Sequence, residues 1–197
     1  MKSLLKYASS FKTSARNRFT GERRKSRKSS SSSNTSYQTL EKRNLLATLT
    51  VTTALDVVAN DGLVSLREAI TATNTNAAFS DTAAGDATGD RIRFASSLAG
   101  QTIQLTAGEF EITDDVVIVG DVTLDAQNQS RILNIDTSEN VVLSQLTFIN
   151  GNVGDEFGAR DGGAIYISEG NLQISAAEFR SNSAANSGGA ILSLIHI

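Results

Sequence analysis

From Asp90 onward the chain is a series of short apolar bursts, several of them alternating with polar positions: RIRF, TIQL, FEIT, VVIV, VTLD, RILNI, VVL, QLTFI, AIYI, NLQI, AEFR and AIL. Gly, Asp, Asn or Ser separates each burst from the next. A period of two over three to five residues predicts strands with one face buried. The spacing leaves no room for crossover helices, so residues 90–191 read as all-β, with a sandwich, a barrel or a solenoid as the available architectures. Upstream, TLTVTT (48–53) alternates in the same way and reads as a first strand.

One segment breaks the period. In DGLVSLREAITATN (61–74), Ser65 precedes Glu68 by three residues, the spacing of a capping box. Leu66, Ala69, Ile70 and Thr73 then share one helical face, so a short amphipathic helix is expected over about 66–74.

A self-comparison chooses among the β architectures. Leu143, Leu146 and Phe148 align with Ile174, Ala177 and Phe179, each 31 residues on, while Ile165 aligns with Ile191 only 26 residues on. The difference falls in the loop NGNVGDEFGARD (150–161). Strands at a fixed offset joined by a loop of variable length are the mark of a coil whose turns stack. The reading is a parallel β-helix burying Val142, Leu146, Phe148, Ile165, Leu172, Ile174, Phe179 and Ile191, with helix 66–74 covering the first turn. DGGAI (161–165) and SGGAI (187–191) open equivalent strands. Gly162 and Gly188 are expected at positive φ, and Gly163 and Gly189 where neighbouring turns approach closely.

Composition separates the two ends. Residues 1–43 carry twelve Lys/Arg against two acids, whereas the remainder carries six against nineteen. Residues 1–39, basic and then serine-rich, read as a disordered tail or export-related leader. The acidic body would repel a polyanion and the tail has few aromatics, so a nucleic-acid partner is not expected. No apolar run is long enough to span a membrane, and the absence of cysteine excludes disulfide and thiolate chemistry.

In this order the motifs resemble a known set. LEKRNLLA (40–47) resembles the LEPR-XLL motif of planctomycete-type surface proteins, with Lys42 where that motif usually has proline. VSLREAI (64–70) resembles the CSLREA motif that precedes β-helices, with Val64 in place of its cysteine. GGAIYI and GGAIL, with FRSN (179–182), resemble the GGAI/FxxN repeat of polymorphic outer membrane proteins; Phe148, followed by Asn150 and Asn152, fits the second element loosely. The resemblance covers residues 40 to 192. It implies a right-handed, pectin-lyase-like parallel β-helix domain (48–191) on an exported, cell-surface, outer-membrane or extracellular protein of adhesin-like type, and it implies no activity. LSLIHI (192–197) breaks the repeat and matches the translation of a common sequencing-library adaptor, so it is read as a non-native or truncated end of a fragment.

The chemistry is sparse. His196 is the only imidazole and no G-x-S-x-G elbow occurs, which removes the usual nucleophile–base pairs. No catalytic set is assigned; a polysaccharide lyase or glycoside hydrolase would have to use Asp155, Glu156, Arg160 and Asp161, the one charged cluster in a loop. No cofactor is assigned either, with Asp81, Asp86 and Asp90 as the residues that calcium would use. Outward polar residues such as Thr147, Tyr166, Ser168, Gln173 and Ser175 suit a polysaccharide or a cell-surface protein as partner. A passive spacer in a large surface protein is the remaining alternative.

Overall fold

The computed structural model describes residues 46–154 and 161–194. Eleven strands and one α-helix follow in order: β1 (Ala47–Val51), α1 (Leu66–Thr75), β2 (Asp90–Phe94), β3 (Thr102–Gln104), β4 (Phe110–Ile112), β5 (Val116–Asp125), β6 (Leu133–Ile149), β7 (Asn152–Val153), β8 (Ile165–Ser175), β9 (Glu178–Arg180), β10 (Ser183–Ala184) and β11 (Ile191–Ser193). Every pairing between these strands is parallel. The main sheet runs β1-β2-β5-β6-β8-β11, with β3 on β5 and with β4 and β9 on β6; β7 and β10 form a separate pair.

The long strands turn corners without leaving the ladder. β6 has three straight legs. Its first, at 133–135, lies between β4 and the start of β8; its second, at 141–144, lies between β5 and the end of β8. Its third, at 147–149, lies between β5 and β9. At one corner Gly120 and Asp121 of β5 stand opposite the single residue Gln145 of β6, which is a bulge. Gln145 takes φ +59, and Ala176, one layer up, takes φ +49. Asn150 and Ser181 repeat the match at φ +55 and +54. The corners therefore stack as the strands do.

The 31-residue offset is a backbone register: Leu143 pairs with Ile174 and Phe148 with Phe179, while Ile165 pairs with Ile191 at the shorter offset. The phenylalanine rings stack at 4.9 Å between centroids and 9° between planes. Apolar side chains from all the legs join one core cluster. The expected core needs two corrections. Val142 is half-buried and points outward, because the alternation shifts at the Gln145 corner: Val141 and Leu143 enter the core before it, Leu146 and Phe148 after it. Ile174 is 37% exposed although Leu143, its partner one layer below, is fully buried, because no described residue covers that leg of β8. Leu172 and Phe179, also on that layer, and Ile191 are half-buried.

Helix α1 spans Leu66–Thr75. Its Ser65 hydroxyl accepts from the Glu68 N–H at 3.2 Å and the Glu68 carboxylate accepts from the Ser65 N–H at 2.9 Å, closing the capping box. The helix ends where Asn76 adopts the left-handed conformation. It buries Leu66, Ala69, Ile70, Ala72 and Thr73 against the first strands. Full burial of Leu66 and Ile70 contributes about 1.5–3 kcal/mol each. Asn74 fastens the helix to the free edge of β4, donating to Glu111 O at 2.7 Å and accepting from the Thr113 N–H at 3.0 Å. No described strand lies on this side of β4, so an amide side chain takes the place of a neighbouring backbone.

Candidate functional site

At the helix end of the sheet the loop 52–64 carries the most heavily bonded carboxylate among the described residues. Arg67 grips Asp56 with Nε at 2.7 Å and Nη2 at 2.9 Å, while the Thr106 and Ala107 N–H groups donate to the same carboxylate at 2.8 and 3.2 Å. Burial works to raise the Asp56 pKa, but the Arg67 contact and the backbone donors outweigh it and hold the carboxyl below its ordinary value. Arg67 also donates to Gly108 O and Glu109 O and lies over the Phe110 ring. Glu68 has a second task beside its cap: its other oxygen accepts from the Ala59 N–H at 2.9 Å, which pins the loop. Beside this latch is an open cleft of about 270 Å³ lined by Ala54, Leu55, Asp56, Val57, Thr102, Gln104 and Thr106.

A second arginine holds the glycine corner. Arg131, 5% exposed, donates to Gly162 O at 3.1 Å, to Asp161 O at 2.9 Å and to the Glu109 carboxylate at 3.0 Å, and it lies over the Tyr166 ring. The Asp161 carboxylate accepts from Asn186 Nδ2 and the Ser187 N–H, tying one layer to the next. Asp155, Glu156 and Arg160, the other members of the cluster proposed for sugar chemistry, lie outside the described residues. The tail 1–39, most of the 40–47 motif and His196 lie outside them as well. Leu192 and Ser193 pair in register with Tyr166 and Ile167.

Gly162 and Gly188 take φ +66 and +65. A Cβ on Gly163 would overlap the Gly189 and Ser183 carbonyls of the next layer, whereas one on Gly189 would meet only Asn182 O, at 3.6 Å. Gly162 and Gly163 thus divide their work between a left-handed turn and close stacking of backbones, whereas the close approach expected at Gly189 is absent, because no described layer lies beyond β11.

The three aspartates that calcium would use each accept from a backbone N–H in their own neighbourhood. Asp81 accepts from the Asp61 and Gly62 N–H groups, Asp86 from the Thr88 N–H, and Asp90 from the Asp86 N–H. Among the described residues no three His, Cys, Asp or Glu side chains are grouped to hold a metal ion. Asp90 is 1% exposed, and its Oδ2 has no hydrogen-bond partner because the neighbouring Thr73 hydroxyl donates to Ala69 O. Burial, then repulsion from Asp114 and Asp86, raises its pKa against the pull of the Asp86 N–H. Asp115 is raised by burial, then by Glu139 and Asp114.

Outward side chains repeat from layer to layer. The Ser175 hydroxyl meets that of Ser144 at 2.9 Å, the Asn171 amide reaches Asn140 Oδ1 at 3.5 Å, and the Ser168 hydroxyl donates to the Asp136 carboxylate, with Ile135 O 3.2 Å away. The Asn182 amide is an inward counterpart, accepting from the Gly151 N–H at 2.8 Å and donating to Phe148 O at 3.0 Å. Sequence reading singled out Asp90 and Glu68 but missed Asp56, Arg67 and Arg131. The signal was there in part: Arg67 sits inside the SLREA string. Its partner lies eleven residues upstream in a loop of no recognisable pattern.

No protein-family model matches this chain, and no curated protein or solved structure matches it either.

Proposed function

We propose that the stacked layers wind as a right-handed parallel β-helix and that the chain is a non-catalytic, adhesin-like or scaffolding segment of an exported cell-surface protein. The hand rests on the rule that a crossover between parallel strands of one sheet is right-handed, since strand twist and chain return are compatible only that way. The observation that carries the function is the repetition of outward polar groups, with Ser144 beneath Ser175 and Asn140 beneath Asn171. Identical groups at strand spacing, about 4.8 Å, give a repeating ligand many weak contacts at once. A polysaccharide or a cell-surface protein fits that geometry. The motif order at 40–47, 64–70 and 161–191 supports export and surface attachment.

Glycan-array and cell-surface binding by the full chain test this reading. Saturable binding that weakens in a Gln173→Ala, Ser175→Ala double variant, with an unchanged melting midpoint, is the expected result. Uniformly blank arrays and cells would leave the spacer role. Unsaturated product from an acidic polysaccharide, followed by ultraviolet absorbance, would turn the assignment to a lyase.

A further inference from the structure

The first layer of the sheet has three outer edges, and they are covered unequally. β2 is covered by β1, and β4 is covered by α1 through Asn74. Among the described residues β3 pairs with β5 on one side only. On that side lie Gln101 O, which accepts from the Thr123 N–H, and the Leu105 N–H, which donates to Asp125 O. Backbone groups alternate direction along a strand, so the N–H and C=O of Thr102 and Gln104 point the other way, into the cleft. Thr106 is next in that series, and its N–H is taken by Asp56. The cleft therefore has an unpaired strand edge as its floor, with two donors and two acceptors, and Leu55 and Val57 as an apolar wall. Leu55 is 62% exposed, and Val57, Val58 and Leu63 of the same loop are also exposed. A volume of about 270 Å³ is under the roughly 300–1,000 Å³ of small-molecule pockets, and the site is open along its length.

We propose that the β3 edge receives an extended, basic polypeptide strand from a partner protein, added to the sheet by backbone pairing. Charge selects the partner. The described residues hold seventeen Asp and Glu against five Arg and no Lys, and three of those arginines are already paired with Asp56, Glu109 and Glu178. Asp121 is exposed at the corner beside β3, where its carbonyl accepts from the Gly100 N–H at 2.7 Å. A lysine-bearing strand gains from this field and an acidic strand is repelled. With two residues of free edge the contact is short and exchanges fast, suited to a partner that engages many copies.

The test uses the full chain at low salt and an end-blocked heptapeptide of alternating lysine and valine. Amide exchange at Thr102 and Gln104 is expected to slow at least tenfold with peptide, and fluorescence anisotropy to report saturable binding. N-methylation of alternate peptide residues, which removes the pairing N–H groups, should weaken binding more than tenfold, as should replacing each lysine by glutamate. Leu55→Ser, at an exposed position, should weaken binding without moving the melting midpoint. Equal binding by the N-methylated peptide, or protection confined to β8 and β9, overturns the proposal. So does protection of the two amides without peptide: if it rises with protein concentration the edge belongs to a second copy. Protection by maltoheptaose in place of the peptide would assign the cleft to a glycan.

Discussion

A single methyl group separates two glycines that look equivalent. At Gly163 it would overlap two carbonyls of the next layer; at Gly189 it finds ordinary contact distance. Gly163→Ala is expected to destabilise by about 2 kcal/mol or more, and Gly189→Ala to stay within about 0.5 kcal/mol, as read by urea denaturation. Equal effects would mean that the second glycine does not serve layer stacking. Gly162→Val should also destabilise, since φ +66 is costly for a β-branched residue and its Cβ would meet Ile165 O. Asp90 offers the opposite case. Asparagine keeps its shape, carries no charge to bury and supplies a donor beside the Ala72 carbonyl, which shares the space under Gly85 with Asp90 Oδ2. Asp90→Asn should gain about 1 kcal/mol at neutral pH, and no gain would mean that the buried carboxyl is satisfied as it stands. The glycines were legible because GGAI twice at a strand entrance has few uses. The aspartates were not, because spacing cannot say that each will bond to a backbone N–H in its own loop.

Among the elements, the strands and the helix were legible nearly to their ends, because a period of two and a capping box are local. What the pattern could not give was how the bursts fuse: VVIV and VTLD are one strand bent at a bulge, and RILNI, VVL and QLTFI are another with two corners. Val142 was misplaced for that reason, since one residue at a corner exchanges the inside for the outside. The β3 edge was illegible too, as it depends on what covers three legs at once. The register itself can be tested covalently. Ser144 and Ser175 are in register and their hydroxyls touch, so a Ser144→Cys, Ser175→Cys double variant should oxidise to one intramolecular disulfide. The chain has no other cysteine to confuse the product. Failure to form it, seen by mass spectrometry with thiol trapping, would contradict the 31-residue register.

At the scale of the whole described body, its buried and half-buried carboxyls pull stability in two directions with pH. Asp56 and Glu68 have lowered pKa values. Burial raises both, and it is outweighed at Asp56 by Arg67, Thr106 and Ala107, and at Glu68 by the N–H groups of Ser65 and Ala59 with the Ser80 and Ser65 hydroxyls. Their contribution is complete above the ordinary carboxylate range and is lost as pH falls through the lower native values. Asp90 and Asp115 have raised values, so their contribution is present below that range and is lost as pH rises through the native values. Urea denaturation across pH at fixed ionic strength should therefore show a mildly acid maximum. Asp90→Asn should flatten the descent on its alkaline side and leave the acid side unchanged. An unchanged alkaline side would assign that descent to Asp115 alone.

The ladders between the strands are all parallel and link successive layers, which also makes the described body mechanically anisotropic. Tension along the strands loads many hydrogen bonds of a layer in shear together. Tension along the stacking direction opens them in sequence, beginning at the layer where Ile174 is bare. A tether attached near β11 would peel the sheet, while one attached across β6 would meet its full resistance.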